Sequence, residues 1–157
     1  AQLASNNGIM VILDPAPAQQ LDDDLLKHIS ILTPNESEAE LLTGIPVEDE
    51  KSAAKAASYL LAKGVNTVLI TLGFRGAFVA TEKIQEMIAG LKVTTVDSTA
   101  AGDVFNGALA VSLSEKIPLI DAVRFANTAA ALSVTKLGAQ PSAPLRKEIE
   151  EFLIWNP

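Results

Sequence analysis

Cysteine is absent from the 157 residues, and histidine occurs once. Without cysteine there are no disulfides and no cysteine-bound zinc; with one histidine there is no histidine-rich metal site and no Ser-His-Asp triad away from it. That residue, His28, sits in Leu25-Leu26-Lys27-His28-Ile29 and reads as a partly exposed helix-end side chain. No apolar run approaches the roughly 20 residues of a membrane helix. No signal peptide opens the chain, so the expected compartment is the cytoplasm. Basic residues are the minority, 12 against 19 acidic, for a net charge of −7. Nucleic acid and anionic membrane both reward clustered Lys and Arg, so neither is expected as a partner. A phosphorylated small molecule stays open, because backbone N–H groups can hold it instead. An initiator methionine is lacking too. Ala1-Gln2-Leu3-Ala4 reads as the last turns of a helix, as in a piece of something longer.

The composition that remains is globular, with 48% hydrophobic and 20% charged residues, and the length fits one domain spanning residues 1–157. Strand and helix signals alternate, which predicts an α/β fold with a mostly parallel sheet. Ile9 to Leu13 is a continuous apolar run suited to a strand buried on both faces, and Asp14-Pro15-Ala16-Pro17-Ala18 ends it. A short helix is expected over 22–28 and a strand over 29–33. Pro34-Asn35 opens a helix to about Leu42, closed by Gly44. Residues 48–63 form an amphipathic helix with Ala53, Ala56, Ala57, Leu60 and Leu61 on its buried face and Gly64 as its stop. Thr67 to Thr71 is a third strand. Ala77 to Ala80 and Lys92 to Val96 read as two further short strands at a sheet edge. Helices follow over about 102–115, 118–136 and 144–155, with Pro144 in a first turn.

Chemistry concentrates in Asp97-Ser98-Thr99-Ala100-Ala101-Gly102-Asp103. Small residues at 100 to 102 lead straight into a helix, whose first N–H groups lack partners and carry partial positive charge. That is an anion hole in outline. Asp103 beside it is either a helix cap or a base placed to take a proton from an attacking hydroxyl. Thr71-Leu72-Gly73-Phe74-Arg75-Gly76 follows a buried strand, as an ordinary tight turn or as the rim of a ligand crevice; it matches neither GxGxxG nor GxxxxGK[ST]. Asn35 and Glu38 have the spacing of a capping box, or of groups orienting phosphate, magnesium or its waters. The small residues of 118–136 suit either close helix packing or a flat adenine. Carbonyls in the loop after them, with Asp97, could cage a monovalent cation.

Taken together, TAAGDVFNG at 99–107, DPAPA at 14–18, TPNESEAELLTG at 33–44, TVLITLGFRG at 67–76 and GAQPS at 138–142 resemble the ribokinase-type (pfkB) carbohydrate kinases over nearly the whole chain. The resemblance implies a ribokinase-like three-layer α/β/α fold whose N-terminal half, sugar site and lid are missing. It implies an ATP-dependent kinase acting on the 5-hydroxyl of ribose, with another sugar or a nucleoside as the alternative substrate, or a non-catalytic nucleotide-binding module. Asp103 resembles the family's base, and Ala100, Ala101 and Gly102 its anion hole. Asn35, Thr71, Leu72, Gly73, Phe74, Arg75, Gly76, Gly102 and Asn127 match nucleotide-binding positions, the last of them next to adenine. Glu38 matches the residue governing Mg²⁺ through water. Asp97, Thr99, Ser133, Lys136, Gly138 and Ser142 match those holding K⁺, several through main-chain oxygens. Ser98, Val104 and Asp14 are mild departures from the family pattern. The resemblance further implies that the piece alone is inactive and that the parent enzyme is a homodimer joined through the missing lid.

Overall fold

The computed structural model describes residues 1–155. The chain divides into two compact units, one of residues 1–73 and 77–87, the other of residues 74–76 and from 88 onward.

The first unit contains α1 (Gln2–Asn6), β1 (Ile12–Leu13), α2 (Asp23–Leu26), β2 (Ile31–Leu32), α3 (Glu36–Thr43), α4 (Glu50–Ala62) and β3 (Thr67–Thr71). The chain continues through β4 (Gly76–Thr81) and β5 (Gln85–Ala89), and the five strands lie in the sheet order β1-β2-β3-β4-β5. β1, β2 and β3 are parallel, pairing Ile12 with Ile31 and Ile31 with Thr67; β4 runs antiparallel to β3, pairing Thr67 with Thr81 and Thr71 with Ala77. The sheet is therefore mixed, parallel on one side of β3 and antiparallel on the other.

Helix α4 forms where the sequence places it. Asp49 accepts from the Ser52 amide, the Ser52 hydroxyl accepts from the Asp49 amide, and no proline or glycine interrupts the run. Ala53, Ala56, Ala57 and Leu60 recur at helical spacing and are fully buried against Val68, Ile70 and Leu32 of the sheet core. Burying each Leu- or Ile-sized side chain contributes about 1.5–3 kcal/mol, so this face holds the unit together. Gly64, at φ +106°, lets the chain turn back into β3.

Two strand expectations fail. Only Ile12 and Leu13 of the run from Ile9 pair in register, since the Val11 amide donates to Ser30 Oγ (3.0 Å) rather than to a backbone carbonyl, and Ile9 and Met10 before it are 61% and 54% exposed. Residues 92–96 are not a strand at all; the strand lies earlier, at Gln85–Ala89. A tight turn directs that pairing. The Thr81 amide donates to the Ile84 carbonyl (2.8 Å), and the Thr81 hydroxyl accepts from the Lys83 and Ile84 amides. His28 is half-buried, with Nδ1 3.3 Å from Ser5 Oγ.

The second unit carries α5 (Ala101–Ser114), α6 (Leu119–Ser133) and α7 (Arg146–Trp155). Phe105 and Leu109 of α5 and Ala122, Val123, Ala126 and Ala129 of α6 are buried, and the small side chains let these helices pack closely. Helix α6 stops at Ser133 rather than 136, and α7 starts two residues after Pro144. Arg146 ties α7 to the end of α5 through paired 2.6 Å bonds from its guanidinium to the Glu115 carboxylate.

Candidate active site

In the first unit, Asn35 and Thr71 meet at the carboxyl ends of β2 and β3. The Thr71 amide donates to the Pro34 carbonyl (2.9 Å), and Asn35 forms a parallel bridge with Thr71. Asn35 caps α3 reciprocally. Its Oδ1 accepts from the Glu38 amide (2.9 Å), while Glu38 Oε2 accepts from the Asn35 amide (2.7 Å). The capping reading therefore describes these atoms, and it leaves others over. Among the described residues, Asn35 Nδ2 and Glu38 Oε1 have no hydrogen-bond partner. This separates two roles experimentally. Asn35→Ser keeps a capping oxygen without adding charge and is expected to leave the melting midpoint nearly unchanged, whereas Asn35→Ala costs about 1 kcal/mol of stability. If Asn35→Ser still weakens nucleotide binding by isothermal titration, the amide does more than cap; equal affinity would leave it a cap only.

The turn after β3 is built on a close approach of two backbones. Gly73 to Arg75 form one 3₁₀ turn, and Phe74 is 88% exposed. The Gly90 amide donates to the Arg75 carbonyl (2.9 Å). A Cβ on Gly76 would stand 2.0 Å from the Ile88 carbonyl oxygen, and one on Gly90 would stand 2.2 Å from that of Phe74. Gly90 was not legible as a site residue, since its partner lies across the hairpin.

In the second unit, Asp103 is the third residue of α5. Ala100 precedes the helix in the left-handed region (φ 61°, ψ 16°), a conformation that costs a non-glycine residue about 1–2 kcal/mol. Ala100 offers no side-chain cap, and the Ala101 amide reaches only the Ser98 carbonyl at 3.3 Å. The amides of Gly102 and Asp103 have no acceptor among the described residues. The exposed Asp103 carboxylate likewise makes no hydrogen bond or ion pair among them, so it is not capping the helix. It lines a cavity of about 540 Å³ with Ala100, Val104, Gly107, Ala108 and Phe125. Arg146 also lines this cavity, 5.8 Å from the Phe125 ring centre. Sequence reasoning found neither, because α7 meets α5 only in the folded chain. Asn127 is half-buried, and its Nδ2 donates at 3.4 Å to the Ile88 carbonyl.

Asp97 brings two further segments together. Its Oδ1 accepts from the Thr99 amide and its Oδ2 from the Gly138 amide, both at 2.9 Å. The Thr99 hydroxyl, then the Thr99 and Gly138 amides, hold its carboxyl below the usual Asp range. A depressed folded value stabilises the ties above the unfolded value near 4, and they are lost only as pH falls through the lower folded one. The Val134 carbonyl accepts from the Val96 and Asp97 amides (2.7 and 3.1 Å). Ser133 and Ser142 are buried, each hydroxyl turned onto a nearby carbonyl.

The model for the pfkB family carbohydrate kinases matches residues 1–146. The chain belongs to that family. A curated ribokinase of Haemophilus influenzae is 54% identical over 153 residues, covering 98% of this chain and 50% of its own length. Among solved structures, a ribokinase of Thermotoga maritima superposes with a TM-score of 0.86 at 43% identity, covering 97% of this chain and 52% of that one. An Arabidopsis thaliana ribokinase solved with ribose and ATP gives a TM-score of 0.92 at 34% identity, covering 97% and 50%. This pfkB chain thus has the ribokinase-like fold and spans about half the length of the curated relatives it matches.

Two cations implied by the pfkB family can be tried against the side chains. Among the described residues, no three His, Cys, Asp or Glu side chains come together. Mg²⁺ would therefore rest on phosphate and water oxygens with one carboxylate or so, its usual preference, and the spare Oε1 of Glu38 fits a water of that shell. A monovalent cation suits carbonyl oxygens. The carbonyls of Thr99, Lys136 and Gly138 accept from no donor among the described residues, and Asp97 joins their two segments. The residues present fit both ions.

Proposed function

We propose that this chain is the nucleotide-handling part of a ribokinase, which transfers the γ-phosphoryl group of ATP to the 5-hydroxyl of D-ribose. The observation that carries this reading is Asp103, an unpaired carboxylate in the first turn of α5 beside amides that have no acceptor. A carboxylate there accepts the hydroxyl proton as the sugar oxygen attacks the γ-phosphorus. The bond from that phosphorus to the bridging oxygen breaks, and ADP leaves with the bond's electron pair. The Gly102 and Asp103 amides, at the positive end of the α5 dipole, stabilise charge on the transferring group. Ala100 and Ala101 keep the approach clear of side chains. Asn35 and the Thr71 to Gly76 turn bind nucleotide, and Asn127 serves its base. Glu38 would orient a water of Mg²⁺, which would supply neutralisation of the phosphate charge. Asp97, Thr99, Ser133, Lys136, Gly138 and Ser142 would hold K⁺, which would supply positive charge beside the entry to α5. The parent enzyme works in the cytoplasm as a homodimer.

Ribose rather than another sugar is supported by the identity to the Haemophilus influenzae ribokinase. ADP release should be measured with ribose, deoxyribose, fructose and adenosine, using a full-length kinase carrying this sequence. Ribose is expected to give the highest kcat/KM, and a higher value for any other acceptor would reassign the substrate. The 157-residue chain alone is expected to show no ribose-dependent turnover. Clear turnover would mean that the sugar site needs nothing beyond it.

A further inference from the structure

The segment from Lys136 to Leu145 forms part of the wall of the cavity that Asp103 lines, through Ala139, Gln140, Ala143 and Pro144. It has little regular structure, a single 3₁₀ turn at Gln140–Ser142. Something must therefore hold its course. Asp97 pins its middle at the Gly138 amide. Both of its ends are held by one carboxylate on α7. Glu148 Oε1 accepts from Lys136 Nζ at 3.0 Å, and Glu148 Oε2 accepts from the Leu145 amide at 2.6 Å.

Half of this arrangement is ordinary. A glutamate at the third helical position commonly reaches back to the amide just before the helix, and the Leu145 bond is that. Capping does not account for the other oxygen. Lys136 lies twelve residues away in sequence, and its side chain is drawn back over α7. The same lysine's carbonyl lies between Ser133 and Gly138, among the oxygens assigned to the cation.

We propose that Glu148 is a positioning residue for the monovalent-cation loop: by bridging Lys136 and Leu145 it closes the segment into a ring whose Lys136 and Gly138 carbonyls are presented in a fixed arrangement. The proposal rests on the cation reading above. Glu148 touches neither cation nor substrate, and it acts through the backbone it restrains. An outer contact of this kind governs affinity more than it governs folding, because the pair itself is a half-exposed surface one.

The test uses a full-length kinase carrying this sequence, melted in KCl and in choline chloride at fixed ionic strength. The readout is the K⁺ concentration giving half of the K⁺-specific rise in Tm. Glu148→Gln and Lys136→Met are each expected to keep a near-native Tm without K⁺ and to raise that midpoint by about two- to fivefold, the span a half-exposed ion pair can supply. Combining them should add little further, since both break one tie. Asp97→Asn, which alters the cation's own carboxylate, should abolish the K⁺-specific rise. A wild-type midpoint in Lys136→Met, alongside a lost response in Asp97→Asn, would overturn the clamp while leaving the cation site standing. This variant decides the matter even if Glu148→Gln fails to fold. No K⁺-specific rise in the wild-type kinase would overturn the cation reading and the clamp together.

Discussion

Replacing Asp103 with asparagine in a full-length kinase carrying this sequence is expected to lower kcat by about 10²–10⁴-fold, the usual contribution of a general base. The KM for ATP should hardly move. The substitution preserves size and position, and the native carboxylate has no hydrogen-bond partner among the described residues to lose. What asparagine removes is the capacity to accept a proton. The negative charge in the first turn also favours the helix, but only by about 0.3–1 kcal/mol at an exposed position. The melting midpoint should accordingly fall by a few degrees at most. Steady-state kinetics and thermal melts on the same preparations check both halves. A variant with intact kcat and a lowered Tm would make Asp103 a structural residue and remove the central support for phosphoryl transfer at this site.

Gly76→Ala is the second large effect, and it acts on folding. Two costs combine there. The backbone sits at φ +108°, outside what a side chain adopts readily, and the new Cβ would lie 2.0 Å from the Ile88 carbonyl oxygen and 2.4 Å from the Gly90 nitrogen. Those obstacles are main-chain atoms, which cannot rotate aside as a flexible side chain would. Backbone strain of about 1–3 kcal/mol and overpacking of about 1–3 kcal/mol add to roughly 2–6 kcal/mol. That is a large share of the stability of a typical domain. Urea unfolding followed by far-UV circular dichroism should show a lowered midpoint or no cooperative transition. Gly73→Ala is the internal control: φ is +55°, but no atom stands within 4 Å of the added methyl, so only the strain should appear. Equal stabilities for the two variants would show that the close approach at Gly76 relaxes freely.

The parts of the fold legible in the sequence are those decided by local rules. Asn35 with Glu38 and Asp49 with Ser52 mark the starts of α3 and α4 by side chains that reach only three residues. Gly44 and Gly64 end them with positive φ, and the alanine stripe of α4 needs only its own periodicity to be seen. Strands depend on partners, and there the reading slipped. The apolar run from Ile9 suggests a strand longer than the two residues that pair with β2. Val93-Thr94-Thr95-Val96 has the composition of a strand, yet Gln85–Ala89 takes that place because the Thr81 turn returns the chain at once to β4. That turn contains neither glycine nor proline, so its usual sequence marks are missing. The candidate site divides similarly. Asp103, Asn35 and Glu38 sit at helix starts and could be picked out directly. Gly90, Arg146 and Glu148 owe their positions to contacts made across the fold, and no local pattern announces them.

The left-handed backbone at residue 100 also acts as a filter on the substitutions that α5 will admit at its entry. Glycine fits without strain, and alanine and asparagine at modest cost. Valine, isoleucine and threonine are shut out because their branched Cβ collides with the adjoining carbonyl. The same conformation is held by Lys116 (φ 63°), so the filter acts on branching at Cβ rather than on side-chain length. Sterics at the entry to α5 thus bar branched side chains, whose bulk sits at Cβ nearest the open Gly102 and Asp103 amides, before any selection on catalysis operates.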